Sequence, residues 1–146
     1  MKHILFSFIV ILLLAGCAGE LTKEQSEVIY SHSVQLSKAD LKVKILTFIN
    51  ENYMSGKSVI QFNEDGLIGG NVISQFALIS KLEYSFTIKY QDNSYKVKCV
   101  VKRIIGFSGN DLANNDMANY ADKIKKEFDE FDNKLFAALS KKAEDF

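Results

Sequence analysis

The chain has 146 residues, 47% of them apolar, with 18 basic and 18 acidic side chains, two cysteines, no proline and no tryptophan. That is enough for one ordinary domain, or for a domain with an appendage. A formal charge of zero argues against a nucleic-acid binder, which neutralises phosphates with an excess of cations; two cysteines are too few for a disulfide-dense scaffold, and two cysteines with two histidines do not have the usual spacing of a four-ligand structural zinc site.

The apolar residues are unevenly spread. Lys2 and His3 precede Ile4 to Leu14, eleven residues with only Ser7 polar among them. A helix needs about 20 apolar residues to span a bilayer, so this run fits the apolar region of a secretory signal, with Lys2 as its positive start. Leu14, Ala15, Gly16 and Cys17 follow: an apolar residue, two small residues and a cysteine. The quartet resembles the lipobox of bacterial lipoproteins. That resemblance implies cleavage between Gly16 and Cys17, diacylglycerol on the Cys17 thiol and a further acyl chain on the new amino terminus. Ala18 after the cysteine, in place of aspartate, implies the outer membrane if the cell is Gram-negative. Acyl chains contribute about 0.8 kcal/mol per buried CH₂, so two or three hold a domain on a membrane without a transmembrane helix.

Residues 1–16 are therefore expected to be a signal peptide, residues 17–27 a lipidated start with a short polar spacer, and residues 28–146 the domain. The spacer, Glu20 to Glu27, reaches at most about 28 Å. Losing residues 1–16 removes Lys2 and leaves 17 basic against 18 acidic side chains, a net charge of about −1.

From Val28 the polarity alternates, with Val28, Tyr30, His32, Val34 and Leu36 on one face, as a half-buried strand requires. Ser37 and Asp40 form a capping-box-like start. Leu41, Ile45, Phe48, Ile49 and Tyr53 then mark an amphipathic helix from Lys38 to Tyr53. Val59 to Asn63 and Leu67 to Ile73 flank Glu64, Asp65 and Gly66, a hairpin loop. Gly69 and Gly70 predict a bulge or a close approach of another backbone.

The next hairpin is better specified. Leu82 to Tyr90 and Tyr95 to Val101 alternate, and a two-residue loop of Asp92 and Asn93 sets Tyr90 opposite Tyr95, Ile88 opposite Val97, Phe86 opposite Cys99 and Tyr84 opposite Val101. The same register puts Glu83 across from Lys102. Asn110, Asp111, Asn114 and Asn115 offer helix caps, and Met117, Tyr120, Ile124, Phe128, Phe131, Leu135 and Leu139 form the apolar stripe of a long terminal helix. Its other face carries charges of mixed sign.

The order β-α-β-β-β-β-α specifies an α+β domain, a single antiparallel sheet with helices on one face. It is the order of a TATA-binding-protein-like half-repeat. The passages Tyr30 to Asp40, Lys57 to Phe62 with Gly66 to Gly70, and Tyr84 to Lys89 with Asn93 to Val97 resemble a bacterial envelope family of unknown function, largely lipoproteins with this fold. The resemblance covers roughly Val28 to Arg103. One departure is Phe48, late in the first helix, where the family often has tryptophan. What it implies is a fold, not an activity. DNA binding does not come with it, because the mature charge is slightly negative and an exported protein meets no chromosome.

His32 shares its parity with strand residues expected to face the core. Cys99 is expected on the same inward face, where a Cys/His pair would require the two to be close; a buried thiol is otherwise an inert small hydrophobe. Asp111 and Asp116 with Asn110, Asn114 and Asn115 lack the ligand order of a calcium loop and read as caps. Glu64 and Asp65 read as solvated residues of a hairpin tip. By parity Lys89, Lys96, Lys98 and Lys102 project from the outward face of the last hairpin with Ser85 and Thr87, either as a solubilising surface or as one that meets anionic headgroups, acidic glycans or an acidic partner. Phe76, Ala77, Leu78 and Ile79 cover the edge of the core or form a contact patch.

The composite expectation is a lipid-anchored, non-catalytic binding or assembly module of the cell envelope. It has no catalytic residue, cofactor or metal, no nucleic-acid partner, and as partners the membrane, through the lipid on Cys17, and an envelope protein. A small envelope enzyme and a lipid or ligand carrier are the alternatives. His32 discriminates among them: packed in the core it favours binding, and reachable by solvent while facing a hydroxyl or carboxylate it favours an enzyme.

Overall fold

A computed structural model describes residues 19–53, 58–77, 80–106, 108–112 and 117–141. The signal, Gly16, Cys17 and Ala18 lie outside the described residues, as do Asn114, Asn115 and Asp116. The chain runs through a one-turn helix α1 (Lys23–Ser26), strand β1 (Glu27–Ser33), helix α2 (Lys38–Tyr53), strands β2 (Ser58–Glu64), β3 (Leu67–Ala77), β4 (Ser80–Gln91) and β5 (Ser94–Ile105), a 3₁₀ turn (Ala118–Tyr120) and helix α3 (Ala121–Ser140). The strands form one antiparallel sheet in the order β1-β5-β4-β3-β2.

Helix α2 has the bounds its periodicity predicts. Ser37 Oγ accepts from the Asp40 N–H at 3.1 Å and donates to Asp40 Oδ2 at 2.6 Å. Aspartate, a methylene shorter than glutamate, thus bonds the hydroxyl where a full capping box would reach the Ser37 N–H. The first turn of α2 is also tied to both hairpin loops: the Lys38 N–H donates to Asp92 Oδ1 at 2.7 Å and its ammonium meets Asp65 Oδ2 at 2.6 Å. Strand β1 stops at Ser33, short of the Leu36 expected, because its neighbour β5 begins at Ser94, directly opposite Ser33. The chain beyond instead wraps the β4–β5 loop, with Val34 N–H bonded to Asn93 O and Asn93 N–H to Leu36 O. Asn93 holds φ at 61°, a left-handed conformation asparagine tolerates.

The β4–β5 register is the expected one from Tyr90–Tyr95 to Tyr84–Val101. It then shifts by one residue, so Glu83 faces Arg103 and not Lys102, and Arg103 Nε lies 2.6 Å from Glu83 Oε2. Lys102 is the extra residue of this bulge. Gly69 and Gly70 do mark an irregularity, in which β2 slips between Ile60 and Phe62. The close neighbour of Gly69 is the Phe62 ring rather than a backbone, and any Cβ at Gly69 would collide with it.

The inward residues of the sheet, among them Ile68, Val72, Leu82, Tyr84, Phe86, Ile88, Tyr90, Tyr95, Val97 and Cys99, are buried against Leu41, Ile45, Phe48 and Ile49 of α2 and Ile124, Phe128, Phe131, Leu135 and Leu139 of α3. Phe131 sits at the junction, its ring 5.3–6.1 Å from those of Phe48, Tyr53, Tyr84 and Phe86. Phe76 is buried here too, beside the Tyr120 ring at 5.6 Å, and so is core rather than contact patch. Leu78 and Ile79 lie outside the described residues.

The segment expected as a spacer carries structure. Thr22 and Gln25 close a capping box on α1, the Ala118 N–H donates to Gly19 O at 3.1 Å, and Leu21 packs against the core. At the other terminus α3 enters through its 3₁₀ turn with Tyr120 as a cap that makes no side-chain bond. Asp111 does not cap it; its backbone bridges Ile105 and its carboxylate meets Arg103.

Candidate functional site

The sheet face away from the helices is built in cross-strand rows. One row places Leu67, Lys89, Lys96 and Ser31 side by side across β3, β4, β5 and β1. The next places Gly69, Thr87, Lys98 and Ile29. Lys89 and Lys96 are therefore direct cross-strand partners, both exposed, and among the described residues no carboxylate lies within 4 Å of either ammonium. Like charges in that arrangement destabilise a sheet. An open groove of about 740 Å³ lies over the hairpin end of this face, lined by Ser31, Ser33, Glu64, Lys89, Gln91 and Lys96 among others.

The four lysines singled out by parity do not form one surface. Lys98 is 2.9 Å from Glu27 Oε1, which neutralises it. Lys102 stands on the bulge, six residues and roughly 20 Å along the strand from Lys96. Lys89 and Lys96 remain as the uncompensated pair. Ile29, 58% exposed in the neighbouring row, gives the face an apolar element. The groove's other rim is acidic: Asp65 is committed to Lys38, whose ammonium holds that carboxyl below its usual range, while Glu64 is exposed and, among the described residues, has no cation within 4 Å.

His32 stands at the margin of the core and borders the groove. Its Nε2 lies 2.9 Å from both oxygens of Asp132, and its ring is stacked between Tyr95 at 5.0 Å and Phe136 at 4.9 Å. The side chains are 22% and 6% exposed. Burial raises the Asp132 carboxyl above the usual range, with the bond from His32 opposing it. One turn earlier the Tyr30 hydroxyl donates to Asp129 Oδ1 at 2.7 Å, and Lys125 also holds this carboxylate. Burial would raise Asp129, yet the bonds from Lys125 and Tyr30 hold it below the ordinary value. These contacts tie β1 to α3.

Cys99 does not join His32. Their strands pair so that Cys99 faces Val28 while His32 faces Tyr95, a separation of four residues, or about 13 Å. Cys99 is buried, and burial together with the Asp132 charge pushes its thiol up, which makes it a poor nucleophile.

Asp132 is the residue that reading by pattern misses. Its position was available in the sequence, four residues after Phe128 and three before Leu135, within the buried stripe. Its partner lies 100 residues away, and no local periodicity names it.

One antiparallel sheet with both long helices packed on one face defines an α+β domain of the TBP-like class. By fold the chain is similar to a DUF4468 family protein from Bacteroides ovatus, with a TM-score of 0.65 and 13% identity over 90% of this chain and 95% of that one. It is also similar to a TBP-like protein from Parabacteroides distasonis, with a TM-score of 0.63 and 12% identity over 82% and 96%. No family model matches the chain, and no curated protein matches it. These likenesses establish the expected fold.

Proposed function

We propose that the chain is a lipid-anchored binding module of the cell envelope, held by acyl chains on Cys17 and offering its open sheet face to an acidic partner. The observation that carries the binding role is the Lys89–Lys96 pair. Two cations are held side by side at a groove with no carboxylate within 4 Å among the described residues, an arrangement that weakens the sheet and is relieved when an anion binds. A poly-glutamate peptide is the probe. It should bind at low ionic strength and be released by salt. Binding should be lost in the double variant Lys89→Glu, Lys96→Glu and kept in Lys102→Glu. Equal binding by all three proteins refutes the site. The anchor has its own test: labelled palmitate enters the wild type and not Cys17→Ala, and equal labelling refutes it.

A second reading, a small enzyme, is favoured by one observation. His32 is 22% exposed and its Nε2 is held by the Asp132 carboxylate, as an oriented general base would be. Ester turnover abolished by His32→Gln would support it, and an inert wild type would remove it. The carrier reading has less support, because the space between sheet and helices is filled by Phe86, Phe128, Phe131 and their neighbours.

A further inference from the structure

The short segment before β1 bears on how an acylated chain would stand on a membrane. Gly19 is fixed to the turn that starts α3 by its bond from Ala118, Leu21 is packed on the core, and α1 passes directly into β1. Only Ala18 lies between Cys17 and Gly19. Two residue steps span at most about 7 Å, so there is no spacer with which the domain could move away from an anchor at Cys17 or turn freely on it.

The entry point also lies at one end of the molecule. Strand β1 starts opposite Val100 and ends opposite Ser94, beside the β4–β5 loop. Helix α3 runs the same way, since Asp129 meets Tyr30 and Asp132 meets His32. Its 20 residues carry the chain roughly 30 Å from the entry end to the end bearing the groove. Lys96, opposite Ser31, is four strand residues past the start of β1, with α1 before that, so it stands roughly 20 Å from the entry end. Gly19 and Leu21 enter against α3 and the core, on the helix side, whereas the groove opens on the other side of the sheet. Laying that face on the bilayer would need a tether long enough to pass around the sheet.

We infer that, once anchored, the domain stands end-on, with the 3₁₀ turn Ala118–Tyr120 and the start of α1 against the lipid headgroups and the Lys89–Lys96 groove facing away from the membrane. This rests on the acylation of Cys17 proposed above. The entry end carries charges of both signs: Tyr120 is partly buried with the Lys123 ammonium 5.7 Å from its ring centre, Lys23 is exposed on α1, and Glu24 and Asp122 are exposed beside them on α1 and α3, so the orientation rests on the short tether and not on headgroup attraction. At roughly 20 Å, Lys96 is more than two Debye lengths from the headgroups at physiological salt, so their charge does not reach it. Of the anions the basic face could meet, this orientation removes the headgroups of the anchoring membrane and leaves those of the surrounding compartment, an acidic glycan or an acidic partner.

The test uses the full-length, acylated protein in vesicles of phosphatidylethanolamine and phosphatidylglycerol containing a lipid with a spin-labelled headgroup. Asn119→Cys and Gln91→Cys each receive a thiol-reactive fluorophore; Cys99 is buried and does not compete. The label at 119 should lose most of its emission and the label at 91 should keep nearly all of it. Ten Gly and Ser residues inserted between Ala18 and Gly19 should restore emission at 119 while the protein still floats with the vesicles. Quenching at 91 equal to or greater than that at 119, or no change on insertion, overturns the orientation and leaves the anchor standing. Failure of the wild type to float overturns the anchor, and the orientation with it.

Discussion

The two faces of the sheet treat charge in opposite ways. On the covered face, two carboxylates at the core margin are matched: Asp132 by His32, and Asp129 by Tyr30 and Lys125. On the open face, Lys98 is matched by Glu27, but Lys89 and Lys96 are set against each other. Burial explains the contrast. An unpaired charge inside costs the full desolvation penalty, so the core admits it only with a partner. In water the same mismatch costs only tenths of a kcal/mol, so a surface can carry it where binding makes use of it.

Truncations and charge changes can break or sharpen that contrast. The largest effect is expected from Phe131→Ala, which empties the space among four aromatic rings and should cost about 3–5 kcal/mol, read as a shift of the urea midpoint. Asp132→Ala should cost about 2 kcal/mol, because His32 then points a polar nitrogen into a partly buried site with no acceptor. A loss no larger than that of an exposed residue would show that the pair does not hold β1 to α3.

Asp132 also sets a pH dependence. Its carboxyl titrates higher in the folded protein than the 3.8 of an ordinary carboxyl. The unfolded state therefore releases its proton first, and stability falls as pH rises from the unfolded value through the folded one. Over that window the wild type should lose stability relative to Asp132→Asn, whose amide does not titrate. Parallel pH profiles of the two midpoints would contradict it.

Smaller effects test the open face. Lys89→Glu converts a like-charge pair into an attractive one and should stabilise by about 0.5 kcal/mol, while poly-glutamate binding falls. Opposite signs in the two measurements separate a face that spends stability on binding from one that is merely soluble. Lys102→Glu, on the bulge, should stay within about 0.5 kcal/mol of the wild type and leave binding unchanged.

Most of the fold was legible because its signals are local. The alternation from Tyr84 to Tyr90 and from Tyr95 to Val101 fixed a register that the hydrogen bonds reproduce, and the three- and four-residue spacing of Leu41, Ile45, Phe48 and Ile49 bounded α2. The site was less legible. Parity grouped Lys102 with Lys96 because parity assumes an unbroken ladder, and a one-residue bulge reverses it. Parity also says nothing of Glu27, which disarms Lys98 from a different strand. The polar look of Glu20 to Glu27 concealed a capped turn whose anchoring bond comes from Ala118.

By itself, then, the sequence determined the two long helices, most of each strand, the faces they bury, the register of one hairpin up to its bulge and the lipobox-like quartet at Leu14 to Cys17, since each is written in residues close together along the chain. The tertiary structure alone decided that β1 lies beside β5, that Asp132 meets His32, that Lys89 and Lys96 are a pair left without a carboxylate within 4 Å among the described residues, and that the first described residues are fastened to the 3₁₀ turn before α3. Those outcomes depend on groups tens of residues apart being brought within a few ångströms, and periodicity, which records which way a side chain faces, does not record what it meets.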